Sequence, residues 1–417
     1  MGIGEASASG TASHGPQAAR LAAAQHSSHA AAVPGARLWA SRYNGHGKGF
    51  DAAHSVAVSP GGRTVFVTGY SAGATSGEDY LTVAYSAATG ARLWASRYNG
   101  PGNGLDEGHS VAVSPGGRIV FVTGTSAGTT SEQDYATVAY SATTGAQLWA
   151  SRYNGPGNSY DDAARVAVSL AGGTVYVTGL SAGATSGFDY ATVAYSATTG
   201  ARLWASRYNG PGNDLDEAWS VAVSPTGRTV FVTGESAGAR SGFDYATVAY
   251  SAATGARLWI QRYNGPGNDL DVAFAVATSP TGSTVFVTGF SAGVTSSLDY
   301  ATIAYSAGTG ARLWIQRYNG PGNSIDTAQA LAVSPTGHKV FITGQSTGTT
   351  SGRDYATIAY GAATGARLWI QRYNGPGNNF DQTWSAAVSP AGRKVFVTGQ
   401  SAGATTGFDY ATVGYAG

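Results

Sequence analysis

The string GARLWASRYNG at residues 35–45 returns so regularly that its tryptophan falls at Trp39, Trp94, Trp149, Trp204, Trp259, Trp314 and Trp369, 55 residues apart each time. A fixed period without insertions constrains the fold more than any local propensity does, because stacked repeats share one continuous core. A chain of 417 residues would by length alone suggest two or three domains. The period makes residues 35–417 a single repeat domain. Residues 1–34 do not match the repeat. Their Ala, Ser, Gly and His composition predicts a disordered arm, and they lack the basic and apolar regions of an intact signal peptide. Residues 17–25 have the composition of a helix too short to be stable alone.

Within one period the pattern is that of strands. SVAVSP, from Ser110, alternates and is rich in Val; a Gly-Gly turn leads to IVFVTG, from Ile119. A loop of small residues then leads to DYATVAYS, from Asp134, and the loop ATTG to AQLWASRY, from Ala146. These are four short strands, A to D, with alternating patterning and turn residues between them. Four antiparallel strands in about 50 residues make the blade of a β-propeller. Seven Asp-Tyr pairs, at Asp79, Asp134, Asp189, Asp244, Asp299, Asp354 and Asp409, predict an all-β, seven-bladed propeller. Residues 35–43 form a D segment with nothing before it, and residues 409–415 a C segment with no D after it. The expectation is therefore a ring closed by the N-terminal outer strand pairing with the last blade, which removes the open sheet edges.

Composition excludes several classes of function. Charged residues are only 11% and the net charge is +1, so there is no electrostatic footprint for nucleic acid. The chain has no Cys, which excludes disulfides, thiol catalysis and thiolate-bound metal. No apolar run is long enough to span a bilayer. An extracellular or cell-surface location and a monomeric state are the expectations.

Residues 84–94, AYSAATGARLW, place Ala84, Thr89, Gly90 and Trp94 at the spacing of the tryptophan-docking motif of quinoprotein-type propellers, with Ser86 where that motif has an acid. Over residues 35–417 the repeat resembles bacterial seven-bladed β-propeller repeat proteins of the SBBP/YVTN type. The resemblance implies that the seven tryptophans lock neighbouring blades together. It does not transfer the quinoprotein cofactor site, because the cysteine pair is missing, and seven blades departs from the usual eight.

Residues present in every blade read as structural, since chemistry needs one asymmetric site. Arg42, Arg97, Arg152, Arg207, Arg262, Arg317 and Arg372 recur in the D segments. Asp51, Asp106, Asp161, Asp216, Asp271, Asp326 and Asp381 recur before the A strands. Together with the Asp-Tyr aspartates they predict charge-assisted hydrogen bonds that tie the D–A and B–C loops. The loop NGPGNDLD, from Asn209, carries oxygen donors that suit Ca²⁺, but its Asn-Gly and Pro-Gly are turn chemistry and it lacks the acids of an EF-hand. No cofactor is predicted, calcium being the one alternative. His14, His26 and His29 in the arm read as idle.

The informative positions are those that vary against this background. Three residues after the repeated Asp stand His54, His109, Ala164, Trp219, Phe274, Gln329 and Trp384. Two residues earlier stand Ala52, Glu107, Asp162, Glu217, Val272, Thr327 and Gln382, and after the VTG or ITG of strand B stand Tyr70, Thr125, Leu180, Glu235, Phe290, Gln345 and Gln400. Antiparallel pairing puts the start of A beside the end of B, so these columns ring the mouth of the central channel. The alternative is neutral drift at loop positions. The mouth predicts a binding scaffold for a glycan, peptide or protein, with Glu107, Asp162, Glu217, Trp219, Glu235, Phe274, Phe290, Gln329 and Trp384 contacting the ligand. The rival is a lyase or hydrolase using His54, His109, Tyr70 and Arg165, the histidines as acid and base. A metal held by the two histidines would need Glu78 or Glu107 as a third ligand. His46 and Lys48 break the usual Pro-Gly-Asn beside the same rim. A quinone-dependent oxidoreductase is the third and weakest reading.

Overall fold

The computed structural model describes residues 38–45, 47 and 49–417. The arm, its histidines, residues 35–37, His46 and Lys48 lie outside the described residues. The compact repeat unit spans Ser41–Gly417. Of the residues before it, Leu38–Ala40 lie in no strand.

The first blade is β1 (Asp51–Val58), β2 (Thr64–Ala72), β3 (Glu78–Ser86) and β4 (Arg92–Tyr98), hydrogen-bonded in that order. The second is β5 (Asp106–Val113), β6 (Ile119–Ala127), β7 (Gln133–Ser141) and β8 (Gln147–Tyr153). Four more sheets repeat the pattern, and the seventh has three strands, β25 (Asp381–Val388), β26 (Lys394–Ala402) and β27 (Phe408–Ala416). Every ladder is antiparallel. The molecule is a seven-bladed β-propeller with the A strands innermost. Both A and B run further than the sequence pattern implies: A starts at Asp106 rather than Ser110, and B ends at Ala127 rather than Gly124.

Blades are sealed by the repeated residues. Trp94 donates through Nε1 to the Ala142 carbonyl of the next blade at 3.0 Å. Its ring packs between Phe66 of its own blade and Tyr140 of the next. Gly145 faces it because a Cβ there would stand 2.7 Å from the indole. The tryptophans thus lock blades, as the docking motif implies. Tyr80, fully buried, donates to the Ala136 carbonyl across the same seam at 3.0 Å. Arg97 forks onto Asp79 at 2.9 Å and the Ser71 carbonyl at 2.5 Å, joining strands B, C and D. Arg262 also reaches Tyr208 of the preceding blade at 2.8 Å. Asp106 accepts from Gly100 N at 2.7 Å and Ala127 N at 3.1 Å, which ties the D–A loop to the end of strand B.

The seventh seam differs. Tyr410, counterpart of the buried Tyr80, is 99% exposed, and Val56 on β1, counterpart of the buried Val111, is 64% exposed. The closing D strand predicted from residues 35–43 is not among the described strands, and residues 38–45 have no strand assignment. Part of the seat is nonetheless filled. Ser41 Oγ donates to the Gly90 carbonyl at 2.5 Å, as Ser96 does to Gly145 at 2.6 Å one blade on. Tyr43 packs on Leu81, Val83 and Tyr85, and Arg92 lies over its ring. Two of the contacts a D strand makes with the following blade are present, whereas no ladder to β27 is found among the described residues.

Candidate functional site

Each A strand carries a β-bulge at the first variable column. In the second blade Gly108 pairs with Gly124 and Ser110 with Thr123, leaving His109 between them. The same shift leaves out His54, Ala164, Trp219, Phe274, Gln329 and Trp384 in the other blades. A bulge leaves its extra residue outside the ladder and re-aims its side chain. It also drives the backbones together: a Cβ on Gly124 would stand 1.9 Å from the Glu107 carbonyl oxygen. That contact explains the unvarying glycine of the VTG or ITG triplet beside a column that changes in every blade. The site is built from the start of A and the end of B, as the antiparallel pairing implies, and from a bulge that the sequence pattern does not show.

The bulges converge on the channel. A cavity of about 570 Å³ is lined by Ala53, His54, His109, Asp162, Ala164, Arg165, Glu217, Trp219 and Trp384. A second, of about 360 Å³, is lined by Arg165, Trp219, Phe274, Gln329 and Trp384. Residues from the first four blades and the seventh thus share one cavity, as the ring topology requires. The remaining predicted residues stand one step behind. Glu107 contacts His109; Tyr70 meets the His54 ring edge-on, centroids 5.4 Å apart; Glu235 is the cross-strand partner of Glu217; Phe290 is buried behind Phe274, centroids 5.5 Å apart. Sequence reasoning missed Tyr160, whose hydroxyl donates to Asp162 at 3.4 Å. Its signal is a hydroxyl in a column otherwise holding Phe, Leu or Ile.

The wall is sectored by charge. His109 sits between two carboxylates, Nδ1 at 3.0 Å from Asp162 and Nε2 at 3.3 Å from Glu107. Burial works against its charge, but Asp162 first and Glu107 second overcome this and lift its pKa to about 10. His54, its ring centroid 5.8 Å from that of His109, is shifted down by burial and by the neighbouring cation. Burial, then repulsion from Glu235 and Asp162, pushes Glu217 up to about 8. Burial likewise raises Glu235, against a smaller opposing contribution from the Trp219 indole. The fourth and fifth blades supply an aromatic wall, with Trp219 against Phe274 at 5.9 Å. The sixth presents amides, Gln345 donating to Thr327 at 2.9 Å.

Nε2 of His109 faces Glu107, Nδ1 lies within ion-pair distance of Asp162 and 3.3 Å from the Ala163 carbonyl, and among the described residues no three His, Asp or Glu side chains form a metal-ligand set. In the Asn-Gly-Pro-Gly-Asn loop, Asn99 donates to Asn103 at 2.7 Å and Asn103 adopts φ 51°, so its donors serve the turn itself.

Fold and site together define a propeller with one asymmetric channel mouth. The chain belongs to the family described as outer membrane protein assembly factor BamB, whose model matches residues 78–247 and again 244–412. No curated protein sequence matches it. Among solved structures it is similar to Chaetomium thermophilum Sqt1 bound to the N-terminus of ribosomal protein L10: 14% identity, 88% of each chain covered and a TM-score of 0.57. It is also similar to Kuenenia stuttgartiensis hydrazine synthase, at 12% identity over 88% of this chain and 99% of that one, TM-score 0.55. The WD40 repeats of RRP9 match at 11% identity over 83% and 86%, TM-score 0.53. At such identities these likenesses establish the fold alone.

Proposed function

We propose that the chain is a non-catalytic binding scaffold whose ligand, a peptide, enters the channel mouth. One observation supports this above others: the bulge column and the residues flanking it gather His109, Arg165, Asp162, Glu217, Trp219 and Trp384 around one cavity, with Phe274 lining the cavity beside it. A wall with ammonium-attracting acids, a guanidinium and indoles suits a peptide, which offers both charge signs and apolar side chains, better than a neutral glycan. The fold has a precedent for such cargo in Sqt1, bound to a protein N-terminus.

The charge states set the two histidines apart: burial and the neighbouring cation shift His54 down, while Asp162 and Glu107 shift His109 up. A general base works best with a pKa near the operating pH. His109, clamped between Asp162 and Glu107, stays a cation far above neutrality. That makes it a fixed positive feature of the wall.

The test is selection of peptides from a displayed library on the full chain, with a glycan array in parallel, followed by titration. The reading expects peptide binders with one site per chain. Seven equivalent sites, or glycans binding where no peptide does, would contradict it.

A further inference from the structure

One side chain in the channel is out of keeping with its column. The position following each bulge holds Ser55, Ser110, Ser220 and Ser385, or Ala275 and Ala330; only in the third blade is it Arg165. The serines have a structural task. Ser55 Oγ accepts from Val111 N at 3.2 Å, Ser110 Oγ from Val166 N at 3.3 Å and Ser220 Oγ from Val276 N at 3.3 Å, each across a seam near the axis. Arg165 interrupts this ladder, so its presence needs another reason.

Its surroundings supply one. Arg165, Trp219 and Trp384 line both channel cavities and stand where the two meet. Among the described residues the guanidinium makes one hydrogen bond, from Nη1 to the adjacent Ala164 carbonyl at 2.9 Å. Every D-strand arginine from Arg97 to Arg372 is held by an aspartate. Among the described residues Arg165 has no carboxylate within ion-pair distance. The side chain is exposed to the channel, and the surrounding wall shifts its pKa down with no carboxylate offsetting that. A guanidinium is a planar fork of donors matched to a carboxylate. Here the fork is left open beside two indoles, Phe274 and Gln329.

We propose that Arg165 anchors a carboxylate of the ligand, with the apolar group next to that carboxylate held against Trp219, Trp384 and Phe274. Asp162, which lines the first cavity together with Arg165, disfavours a dianionic phosphate, and with Glu217 beside it leaves room for a ligand that also carries a positive group. This deepens the peptide-binding reading and rests on it. Two sources of such a carboxylate exist, a chain terminus and an acidic side chain next to an aromatic residue.

The probes are N-acetylphenylalanine, N-acetyl-aspartyl-phenylalaninamide, N-acetylphenylalaninamide, phenethylamine and inorganic phosphate, titrated against the full chain by ligand-observed NMR. At least one of the first two is expected to bind about tenfold or more tighter than the neutral amide, the scale of a charge-assisted bidentate pair. The first alone assigns a chain terminus and the second alone an acidic side chain. Arg165→Ser, which restores the residue found in four other blades, should abolish the preference, and Arg165→Met should do the same while keeping the side chain's bulk. Circular dichroism checks that both variants fold. Equal binding of the amide, tighter binding of phenethylamine or phosphate, or no binding by any probe would overturn the anchor. A library-selected peptide that binds wild type and Arg165→Ser equally, yet is lost on Trp384→Ala, would remove the anchor and leave the peptide reading standing.

Discussion

The seams between blades and the mouth of the channel are made from the same kinds of residue, yet they obey opposite rules. At a seam, Trp94 is repeated by Trp149, Trp204, Trp259 and Trp314, each donating to one carbonyl of the next blade at 2.9–3.0 Å. At the mouth, Trp219 and Trp384 occupy a column that holds His, Ala, Phe and Gln elsewhere. The seam indoles are buried, about 8–9% exposed, whereas Trp384 is 55% exposed. Repetition here marks parts that must fit an identical neighbour. Variation marks parts that the fold leaves unconstrained, because a bulge removes its residue from both ladder and core.

This contrast can be broken in several places. The largest effect is expected at a seam. Trp204→Ala removes the stack on Tyr176 and Tyr250 and the bond to Ala252. It should cost about 3–5 kcal/mol in denaturant unfolding, with the mouth still able to bind in the remaining folded molecules.

A smaller loss is expected where mouth and framework share a residue. His109→Gln leaves Glu107 and Asp162 facing one another without a cation between them. It should destabilise the protein by about 2–3 kcal/mol at pH 6, and by less at pH 10.5. The sign follows from linkage. The folded-state pKa of about 10 lies above the ordinary 6.5, so the stabilisation is complete below 6.5 and is lost as pH rises through 10. A loss independent of pH would show that His109 acts through packing alone.

The smallest effect should be a gain. Glu217 binds its proton more tightly when folded, with a pKa near 8 against the ordinary 4.5. Stability therefore falls as pH rises from about 4.5 to 8, because the folded state must hold or release that proton at a cost. Glu217→Gln should leave stability unchanged at pH 4. At pH 9 it should raise it by roughly 1–2 kcal/mol, the size of one pKa unit or so after allowance for the open channel. No gain at pH 9 would mean that the channel solvates this carboxylate as water does.

How much of this was legible in the sequence depended on repetition. The Asp-Tyr pairs and the 55-residue tryptophan spacing were enough for seven blades, because seven copies of one environment reveal themselves by identity; the inter-blade role of Trp94 came from the resemblance to the docking motif, and that of Tyr80 was not read. The variable columns were legible as a rim for the same reason inverted. The means by which they reach the channel was not. A bulge is invisible when its residue is unconstrained, and only the unvarying Gly124 and its counterparts hinted at two backbones in contact. The charge of His109 was also hidden, since its clamp joins Glu107, two residues away, to Asp162, a whole blade further on. Tyr160 escaped for lack of any repeated partner. The last seam was half legible: Ser41 and Tyr43 occupy the outer-strand position against the first blade, while the expected pairing with β27 is not among the described ladders.

The most direct test applies one substitution to both regions. Trp204→Ala and Trp384→Ala remove the same side chain from a seam and from the mouth. Unfolding free energy and affinity for a library-selected peptide should cross over. Trp384→Ala is expected to change stability by less than about 0.5 kcal/mol, as at an exposed position, and to weaken binding by about tenfold or more. Trp204→Ala should do the reverse. If Trp384→Ala instead destabilises the fold as Trp204→Ala does and leaves binding untouched, the mouth is framework and the account is wrong.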